Sequence, residues 1–523
     1  MKVIVIGAGI AGLATAALLA EAGYEVTVIE KNTYVGGRAH YIEADSELGT
    51  FRFDCGPSWY LMPEAFEHFY ELLGTSAKEQ LDLRTLEPAY RIFSSDVVAD
   101  PLIISTGREK LIAQAESLEP GSGPRMAAYL DKATTIYELS LRFFLYTNFD
   151  SLLPYVRMEL ARNLLFMLSM LRMNLASYVE GQFTSPVLRK LLQYPAVFLS
   201  TIPAKTPALY SLLSHTDLVD GVRYPMGGFS TFINSLENLC RERGVKFILG
   251  AEAVDILYTT EGKDTTARGV RIHVDEGYEN LPADIVVSAG DRHHTETALL
   301  PANLRTWSHH YWEKRDPGIS ALVGLVGLKG KLPELGHHQL FLSDNWNPDF
   351  RAITHGTTSK SFYVCKTTAT DDSMAPADCE NLFILIPTGP DTHLGHGSLY
   401  QEDHVAQDPS VERILDEAIT VIAKQCGMTL AEFKDRILIR RSISPRDYAE
   451  QYFSWRSSAL GLAHTLDQSA FFRGHNYSSK VKNLYYAGAT SSPGVGIPMC
   501  LISAENVLKK IRGIGGTSPL PRI

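Results

Sequence analysis

The chain has 523 residues, about twice the length at which one hydrophobic core stops growing, so two or more domains are expected. Hydrophobic residues make up 45% and charged residues 21% of the sequence, which excludes a disordered chain. The net charge of −10 has the wrong sign for a surface that follows nucleic-acid phosphates, so no nucleic-acid partner is expected. The six cysteines show no C-x-x-C or other metal-ligand spacing and predict reduced thiols in a cytosolic protein.

A strand, a glycine turn and a helix are predicted at the N-terminus. Val3–Ile6 is an uncharged β-branched run, typical of a buried parallel strand. In the G-x-G-x-x-G that follows, the first glycine makes the turn, the second lets a pyrophosphate approach, and the third lets helix and strand pack closely. The residues expected at the dinucleotide are Gly7, Gly9, Ile10, Ala11 and Gly12.

A second strand, Val26–Ile29, ends in an acidic residue. Glu30 follows Gly12 by eighteen positions, where a carboxylate accepts from the hydroxyls of an adenosine ribose. Lys31 comes next, and Gly36-Gly37-Arg38 then lets backbone approach a ligand beside a fixed cation. Arg38 suits a pyrophosphate or the charge on a reduced ring.

This acidic residue with its Gly-Gly-Arg resembles the signature of two-domain FAD oxidoreductases of the amine oxidase and carotenoid desaturase superfamily. Phe53–Ser58 resembles the segment near the flavin ring, which implies contacts at Pro57 and Ser58. Tyr224–Phe229 resembles the P-x-G-G turn that returns the chain to the cofactor domain. In the superfamily the backbone at the position of Val254 contacts the adenine.

Later elements continue the same domain. A helix is predicted at Phe232–Arg243, and strands are predicted at Val245–Leu249 and Asp284–Gly290. Near the C-terminus, a strand followed by a turn is predicted at Asn483–Thr490. A helix begins near Pro498, with its positive dipole end suited to the electron-rich edge of a reduced flavin.

This C-terminal region resembles the bacterial-type carotenoid (phytoene) desaturases. The resemblance implies cofactor contacts at Gly488, Gly496, Ile497, Pro498 and Met499. Two departures stand out: Ser492 occupies a position where many members carry histidine, and Met499-Cys500 replaces a common Gly-Val. Neither a histidine role nor the detailed pocket shape is therefore carried over.

The resemblance implies an α/β fold: a Rossmann-type, glutathione-reductase-like FAD-binding domain with an inserted mixed α+β substrate domain and a helical membrane-associated segment. The expected boundaries are 1–75, 221–300 and 476–523 for the FAD-binding domain, 76–220 for the helical membrane-associated part, and 301–475 for the sheet part of the substrate domain.

Residues 151–205 carry six basic and two acidic side chains, against the acidic balance of the whole chain. Within them Asn163–Leu171 is uncharged and predicts either an interfacial helix or a core helix. The resemblance favours membrane contact, because a long polyene is drawn from lipid, and so predicts a cytoplasmic protein bound peripherally to the cell membrane. Leu191–Ala204 is expected to line an apolar tunnel, although core packing would select the same residues. The tail 513–523 is expected to be frayed.

The implied reaction is FAD-dependent desaturation of phytoene or a later acyclic carotene, with hydride transfer to flavin and proton loss from the neighbouring carbon. The developing allylic cation is stabilised by the polyene, so a strong base is not required. Arg38 and Asp150 are the catalytic candidates, the latter as a proton acceptor or, alternatively, a solvated loop aspartate. No second dinucleotide fingerprint occurs, which favours oxygen or a membrane quinone as electron acceptor.

Several alternatives stay open. The same scaffold serves carotene cis–trans isomerases, carotenoid oxidases, amine or porphyrinogen oxidases, and escort proteins that bind a prenyl chain without chemistry. The complete cofactor-binding motifs, notably Gly36-Gly37-Arg38 and the C-terminal turn, argue against an escort protein. No metal site is expected, because the histidines of the pairs at 293–294, 309–310 and 337–338 are adjacent and adjacent side chains point apart. The sequence does not indicate the oligomeric state.

Overall fold

The computed structural model describes residues 1–94, 101–150, 158–275, 277–390, 393–401 and 408–523. Within the helix Met158–Arg172, the side chains described are those of residue 163 and of residues 165–172.

A five-stranded parallel sheet organises the described residues at both ends of the chain. Its register pairs Val3 with Val26 on one side and with Ile285 on the other. Because both faces of these strands are buried, their sequences are almost continuously apolar and do not alternate between apolar and polar residues. In spatial order its strands are Leu484–Tyr486, Ile285–Ser288, Lys2–Ile6, Glu25–Glu30 and Lys246–Leu249.

The helix Ile10–Glu21 packs against this sheet and lies between the helices Phe229–Glu242 and Ile497–Ile511. Its buried face is built from alanine and leucine, so the neighbouring helices approach closely. The prediction of an α/β nucleotide-binding fold is therefore confirmed by the sheet and its helices.

A seven-stranded mixed sheet forms the second body of the described chain. It is antiparallel except where His338–Phe341 runs parallel to Tyr90–Phe93. In spatial order its strands are Ile437–Ile443, Ser320–Lys329, Cys379–Thr388, Phe362–Cys365, His338–Phe341, Tyr90–Phe93 and Leu102–Ile104.

Smaller strand groups connect the two sheets. Glu252–Glu261, Asp264–Val274 and Gly277–Pro282 form an antiparallel sheet, and Val481–Lys482 pairs in parallel with its middle strand. Two-stranded pairs are formed by Tyr41–Ser46 with Gly49–Asp54 and by Leu83–Thr85 with Arg223–Pro225.

The other helices flank these sheets. Near the parallel sheet they are Pro63–Leu72, Ala77–Gln80, Arg292–Ala298 and His309–Glu313. In the second body they are Arg108–Leu118, Gly123–Ser140, Met158–Arg172, Leu175–Glu180, Pro186–Gln193, Trp346–Thr354, Pro409–Gln425, Leu430–Lys434 and Pro445–Tyr452. Among the helices of the described residues, none combines the length and the apolar composition that crossing a bilayer requires.

The C-terminal tail differs from the expected frayed end. The Leu520 N–H donates to the buried Glu505 carboxylate at 2.5 Å, and the Lys509 ammonium donates to the Ser518 carbonyl at 2.8 Å. Leu520 itself is buried against the core of the parallel sheet. The backbone of the tail is held in place because it hydrogen-bonds with buried polar side chains of the last helix. The Gly/Pro-rich composition of the tail does not indicate these hydrogen bonds.

Candidate flavin and substrate cavity

A cavity of ≈ 630 Å³ lies between the carboxyl ends of the parallel sheet and one face of the mixed sheet. This is the position where open α/β sheets bind their ligands. Of the predicted cofactor residues, those that line it are Gly7, Gly9, Ile10, Ala11, Glu30, Lys31, Gly37, Arg38, Pro57, Ser58, Gly488, Gly496, Ile497, Pro498 and Met499. Gly12 and Val254 do not line this cavity.

The first glycine turn opens on the cavity at the start of the helix Ile10–Glu21. Gly9 is its N-cap and no side chain caps the helix, so its first N–H groups and its positive dipole end face the cavity. Gly12 lies behind the turn, where an added Cβ would stand 1.9 Å from the Gly7 carbonyl oxygen. Gly12 thus serves the close helix–strand approach, while the cavity is formed by its neighbours.

Glu30 lies at the end of its strand, 9% exposed, with both carboxylate oxygens oriented. Oε2 accepts from the Ala8 N–H at 2.7 Å, and Oε1 accepts from the Asn32 N–H at 2.9 Å. These bonds fix the carboxylate at the cavity rim, where its remaining lone pairs are available to ribose hydroxyls. Lys31 lies beside it with Nζ 4.2 Å from the ring centroid of Phe453.

The Gly-Gly-Arg segment packs directly on the first glycine turn. The Gly36 N–H donates to the Ala8 carbonyl at 2.8 Å, and Gly9 pairs with Gly36 as a parallel bridge. Arg38 then enters the cavity wall, where Nη2 donates to Ser454 Oγ at 2.6 Å. Its Nε is buried and has no hydrogen-bond partner among the described residues. A guanidinium with a free buried donor at this place suits an anionic or carbonyl-bearing ligand.

Asp54 joins the segment Phe53–Ser58 to the glycine turn that follows Tyr224. Its carboxylate accepts from the N–H groups of Phe229 and Ser230 at 2.8 and 3.1 Å, capping the helix that begins at Phe229. Burial raises the pKa of Asp54 to about 7. This cap explains why the helix starts three residues before the predicted Phe232.

The C-terminal turn brings a second uncapped helix start to the cavity. Gly496 is the N-cap of Ile497–Ile511, no side chain caps it, and Pro498 stands in the first turn. The Gly488 N–H donates to Ser503 Oγ at 3.0 Å, which ties the preceding strand to this helix. Met499 and Cys500 both line the cavity, so the departures from the family pattern lie at its wall.

Two relatives and a solved structure resemble this chain over nearly its whole length. The family described as flavin containing amine oxidoreductase matches residues 10–349. Carotenoid 3,4-desaturase of Haloarcula japonica is 36% identical over 513 residues, which cover 97% of each chain. Phytoene desaturase of Fusarium fujikuroi is 33% identical over 97% of this chain and 89% of the relative.

The chain belongs to the carotenoid desaturase family. It is an FAD-dependent oxidoreductase acting on CH–CH bonds. A crystal structure of an oxidoreductase from Methanosarcina mazei shares the fold, with a TM-score of 0.57 and 18% identity over 97% of this chain and 100% of that one.

The residues present fit the FAD of this family. Two uncapped helix starts, the oriented Glu30 carboxylate and the side chain of Arg38 all line one cavity. They offer dipole ends and donors for the negative charge of a pyrophosphate and flavin, and an acceptor for ribose.

Two sequence-predicted residues stand elsewhere. Val254 lines a separate surface groove, and Ala251, Glu252 and Ala253 are the residues of this segment that reach the cavity. Val254 lies at a register shift between Ala253 and Asp255, so it has no partner on the neighbouring strand.

Asp150 also lies away from the cavity, with 35% of its side chain exposed. Its Oδ1 accepts from Tyr477 Oη and from Lys510 Nζ, each at 3.0 Å. The structure therefore does not bring Asp150 to the place where hydride leaves the substrate. The solvated loop aspartate is the description that this geometry favours.

Sequence reasoning missed His464, which lines the cavity beside the C-terminal turn. Its Nε2 accepts from the Val495 N–H at 3.1 Å, and its Nδ1 lies 2.7 Å from Tyr210 Oη. Burial, followed by the nearby Arg473 charge, lowers the pKa of His464 well below 6.5. This imidazole reaches the C-terminal turn at Val495 from a segment 31 residues earlier in the chain.

Replacing Arg38 by leucine is expected to weaken FAD binding about 10- to 100-fold, because a charge-assisted hydrogen bond contributes about 1.5–3 kcal/mol. Arg38→Lys should recover part of the affinity through charge alone. The measurement is titration of the apoprotein with FAD, followed by flavin fluorescence. Arg52→Leu is the matched control, since Arg52 pairs with Glu43 on the surface and is about half exposed. Equal affinity in wild type and Arg38→Leu would contradict the assignment.

Proposed function

We propose that the protein introduces double bonds into phytoene or a later acyclic carotene that it takes from a membrane surface. The observation that carries this proposal is the apolar arm of the cavity, lined by aromatic and aliphatic side chains. The segment 194–199 contributes one wall, and the mixed sheet contributes the other. Members of the two walls are Tyr194, Val197, Phe198, Leu199, Leu340, Leu342, Phe362, Phe383 and Leu385.

A carboxylate in this arm is already hydrogen-bonded by the protein. Asp349, a carboxylate that lines the arm, accepts from Ser343 Oγ and Ser361 Oγ at 2.5 Å each and from the Lys360 N–H at 2.8 Å. The Asp349 carboxylate is therefore not free to pair with a cation, which argues for a hydrocarbon over a charged amine. A relative's name, phytoene desaturase, points to the same chemical class.

When bound, FAD supplies the hydride acceptor for oxidation of a C–C bond. The chain's own residues hold the polyene and exclude water. Trp59 anchors the junction of cofactor and substrate spaces, with its ring centroid 5.3 Å from that of Phe198 and its Nε1 donating to Tyr363 Oη at 3.2 Å. The polyene stabilises the developing allylic cation, so water exclusion and orientation are the main tasks of the protein.

The test is anaerobic incubation of the FAD-loaded protein with phytoene in liposomes, followed by absorption. Loss of the oxidised-flavin bands together with new visible polyene bands supports the proposal. Flavin that stays oxidised with phytoene, and then with later acyclic carotenes, would contradict it. Repeating turnover with a quinone, with oxygen or with NAD(P)⁺ tests the proposed acceptor, which we expect to be quinone or oxygen.

An exposed apolar patch supports membrane contact. We define the lipid patch as Leu165, Leu168, Met173, Phe471 and Phe472. Leu165 is 83% and Phe472 63% exposed, whereas Met167 and Met170 of the same helix are buried in the core. Phe144 connects the two parts of the patch, packing near Met167 and lying 6.5 Å from Phe471 between ring centroids. Arg162, expected at the headgroups, has a side chain outside the described set, while Arg172 is exposed at the end of the helix.

Replacing Leu165 and Phe472 together by lysine is expected to reduce liposome binding at least about tenfold, since each buried apolar side chain contributes about 1.5–3 kcal/mol. Flotation of FAD-loaded protein with neutral vesicles measures the bound fraction. Tyr278→Lys is the control, because Tyr278 is 71% exposed on the separate antiparallel sheet. Unchanged flotation of the double variant would contradict membrane contact through this patch.

A further inference from the structure

Three buried side chains with metal-binding atoms meet behind the cavity wall. They are His337, His338 and Cys365, and one ligand atom from each lies within 4.8 Å of the others. His338 and Cys365 stand directly opposite on neighbouring strands of the mixed sheet. His337 lies just before its strand begins, so the alternation of side chains does not separate it from His338. The two imidazole rings lie edge to face with centroids 4.5 Å apart, contrary to the expectation that they diverge.

Each histidine has one nitrogen held and one nitrogen free. His337 Nδ1 lies 2.7 Å from Thr370 Oγ1, and His338 Nδ1 lies 2.7 Å from Tyr363 Oη. Both Nε2 atoms are buried and without a hydrogen-bond partner among the residues that the structure describes. His337 is 6% and His338 1% exposed. An imidazole anchored at one nitrogen with the other nitrogen free is the arrangement found for metal ligands.

From this cluster we propose a zinc site in which the Nε2 atoms of His337 and His338 and the thiolate of Cys365 bind one Zn²⁺. Nitrogen and thiolate ligands select a zinc-class cation over Mg²⁺ or Ca²⁺. The metal replaces the thiol proton of Cys365, which is released to solvent. A water molecule would complete the four ligands that zinc usually takes.

Such a metal cross-links two strands at the base of the substrate wall. Tyr363, whose hydroxyl holds His338, also contacts Ser58 Oγ at 2.7 Å and lines the cavity. The zinc would therefore fix the wall that faces the flavin segment, without taking part in the redox step.

The test is metal analysis of the FAD-loaded, full-length protein after expression with added zinc and exhaustive dialysis. We expect about one equivalent of zinc per chain, and about 100-fold weaker retention in Cys365→Ser and in His338→Gln. Replacing the metal with Co²⁺ should give ligand-field bands at wavelengths longer than oxidised flavin absorbs, and these bands should be lost in Cys365→Ser.

Cys379→Ser is the matched control, because Cys379 is buried in the adjacent strand but does not belong to the cluster. It should retain zinc and the cobalt bands. Flavin content and circular dichroism report whether each variant is folded. A folded wild-type protein that holds FAD but no stoichiometric zinc or cobalt would overturn the proposal, as would full zinc retention in folded Cys365→Ser.

Discussion

Replacing Gly12 by valine is expected to abolish stable FAD binding, with a loss in affinity of at least about 100-fold, or about 2.7 kcal/mol. Any side chain at this position places its Cβ 1.9 Å from the Gly7 carbonyl oxygen and 3.0 Å from the carbonyl carbon. Because both atoms belong to backbone, the conflict is relieved only by moving the helix Ile10–Glu21 away from its strand. That movement displaces the uncapped helix start from the cavity.

The measurement compares flavin retained after gel filtration with flavin regained on titration. Gly515→Ala is the control, since nothing lies within 4 Å of a Cβ there and no left-handed backbone angle is required. The control should bind FAD as the wild type does. A folded Gly12→Val protein with wild-type affinity would show that the approach of helix and strand is not needed for the cofactor.

Replacing His464 by alanine is expected to destabilise the protein by about 2–5 kcal/mol and to lower turnover at least tenfold, on the order of 1.4 kcal/mol. The change leaves the Val495 N–H and the Tyr210 hydroxyl without their buried partner. The ring also fills space tightly, because a Cβ at Gly494 would meet its Cε1 at 2.3 Å. Loss of the ring frees the turn that leads into the helix Ile497–Ile511.

The hydrogen bonds of His464 also predict how different substitutions at this position should differ. Since Nε2 accepts from Val495, the proton of the neutral ring lies on Nδ1 and is donated to Tyr210, whose hydroxyl donates on to Ser469 at 2.9 Å. His464→Gln offers an acceptor for Val495 but no donor at the Nδ1 position. We expect it to regain part of the stability and turnover, whereas His464→Leu should not.

The pH dependence follows from the lowered pKa of His464. The contribution of the neutral ring is complete above the unfolded pKa near 6.5 and is lost as pH falls toward the folded value. The difference in melting temperature between wild type and His464→Gln should therefore shrink between about pH 7 and about pH 5. A difference that grows on acidification would contradict a neutral, accepting His464.

The sequence predicted well whatever depends on neighbouring residues. Strand, turn and helix from Val3 onward follow from local composition, and the structure places them at the cavity. Glu30 was predictable for the same reason, since it ends a strand that pairs with the first. The cofactor and the class of reaction were predicted from the family resemblance of these motifs.

Contacts between distant segments were not predictable. Asp54 caps a helix that begins 175 residues later, and no local pattern marks it. His464 and Val495 are 31 residues apart and meet only when both segments pack at the cavity. Val254 lies at a one-residue shift in strand pairing, and such a shift depends on the partner strand rather than on its own sequence.

The order of strands in the parallel sheet also bears on how the protein is made. Lys2–Ile6 is the central strand, yet one of its neighbours, Ile285–Ser288, lies more than half the chain away. The helix start at Ile497 completes the site still later in synthesis. During translation, the first strand therefore emerges from the ribosome long before one of its partner strands has been synthesised. Its apolar side chains remain exposed on that side until the later strand is made. We expect cofactor capture to be post-translational, and chaperone supply and FAD availability during expression to govern the yield of active protein.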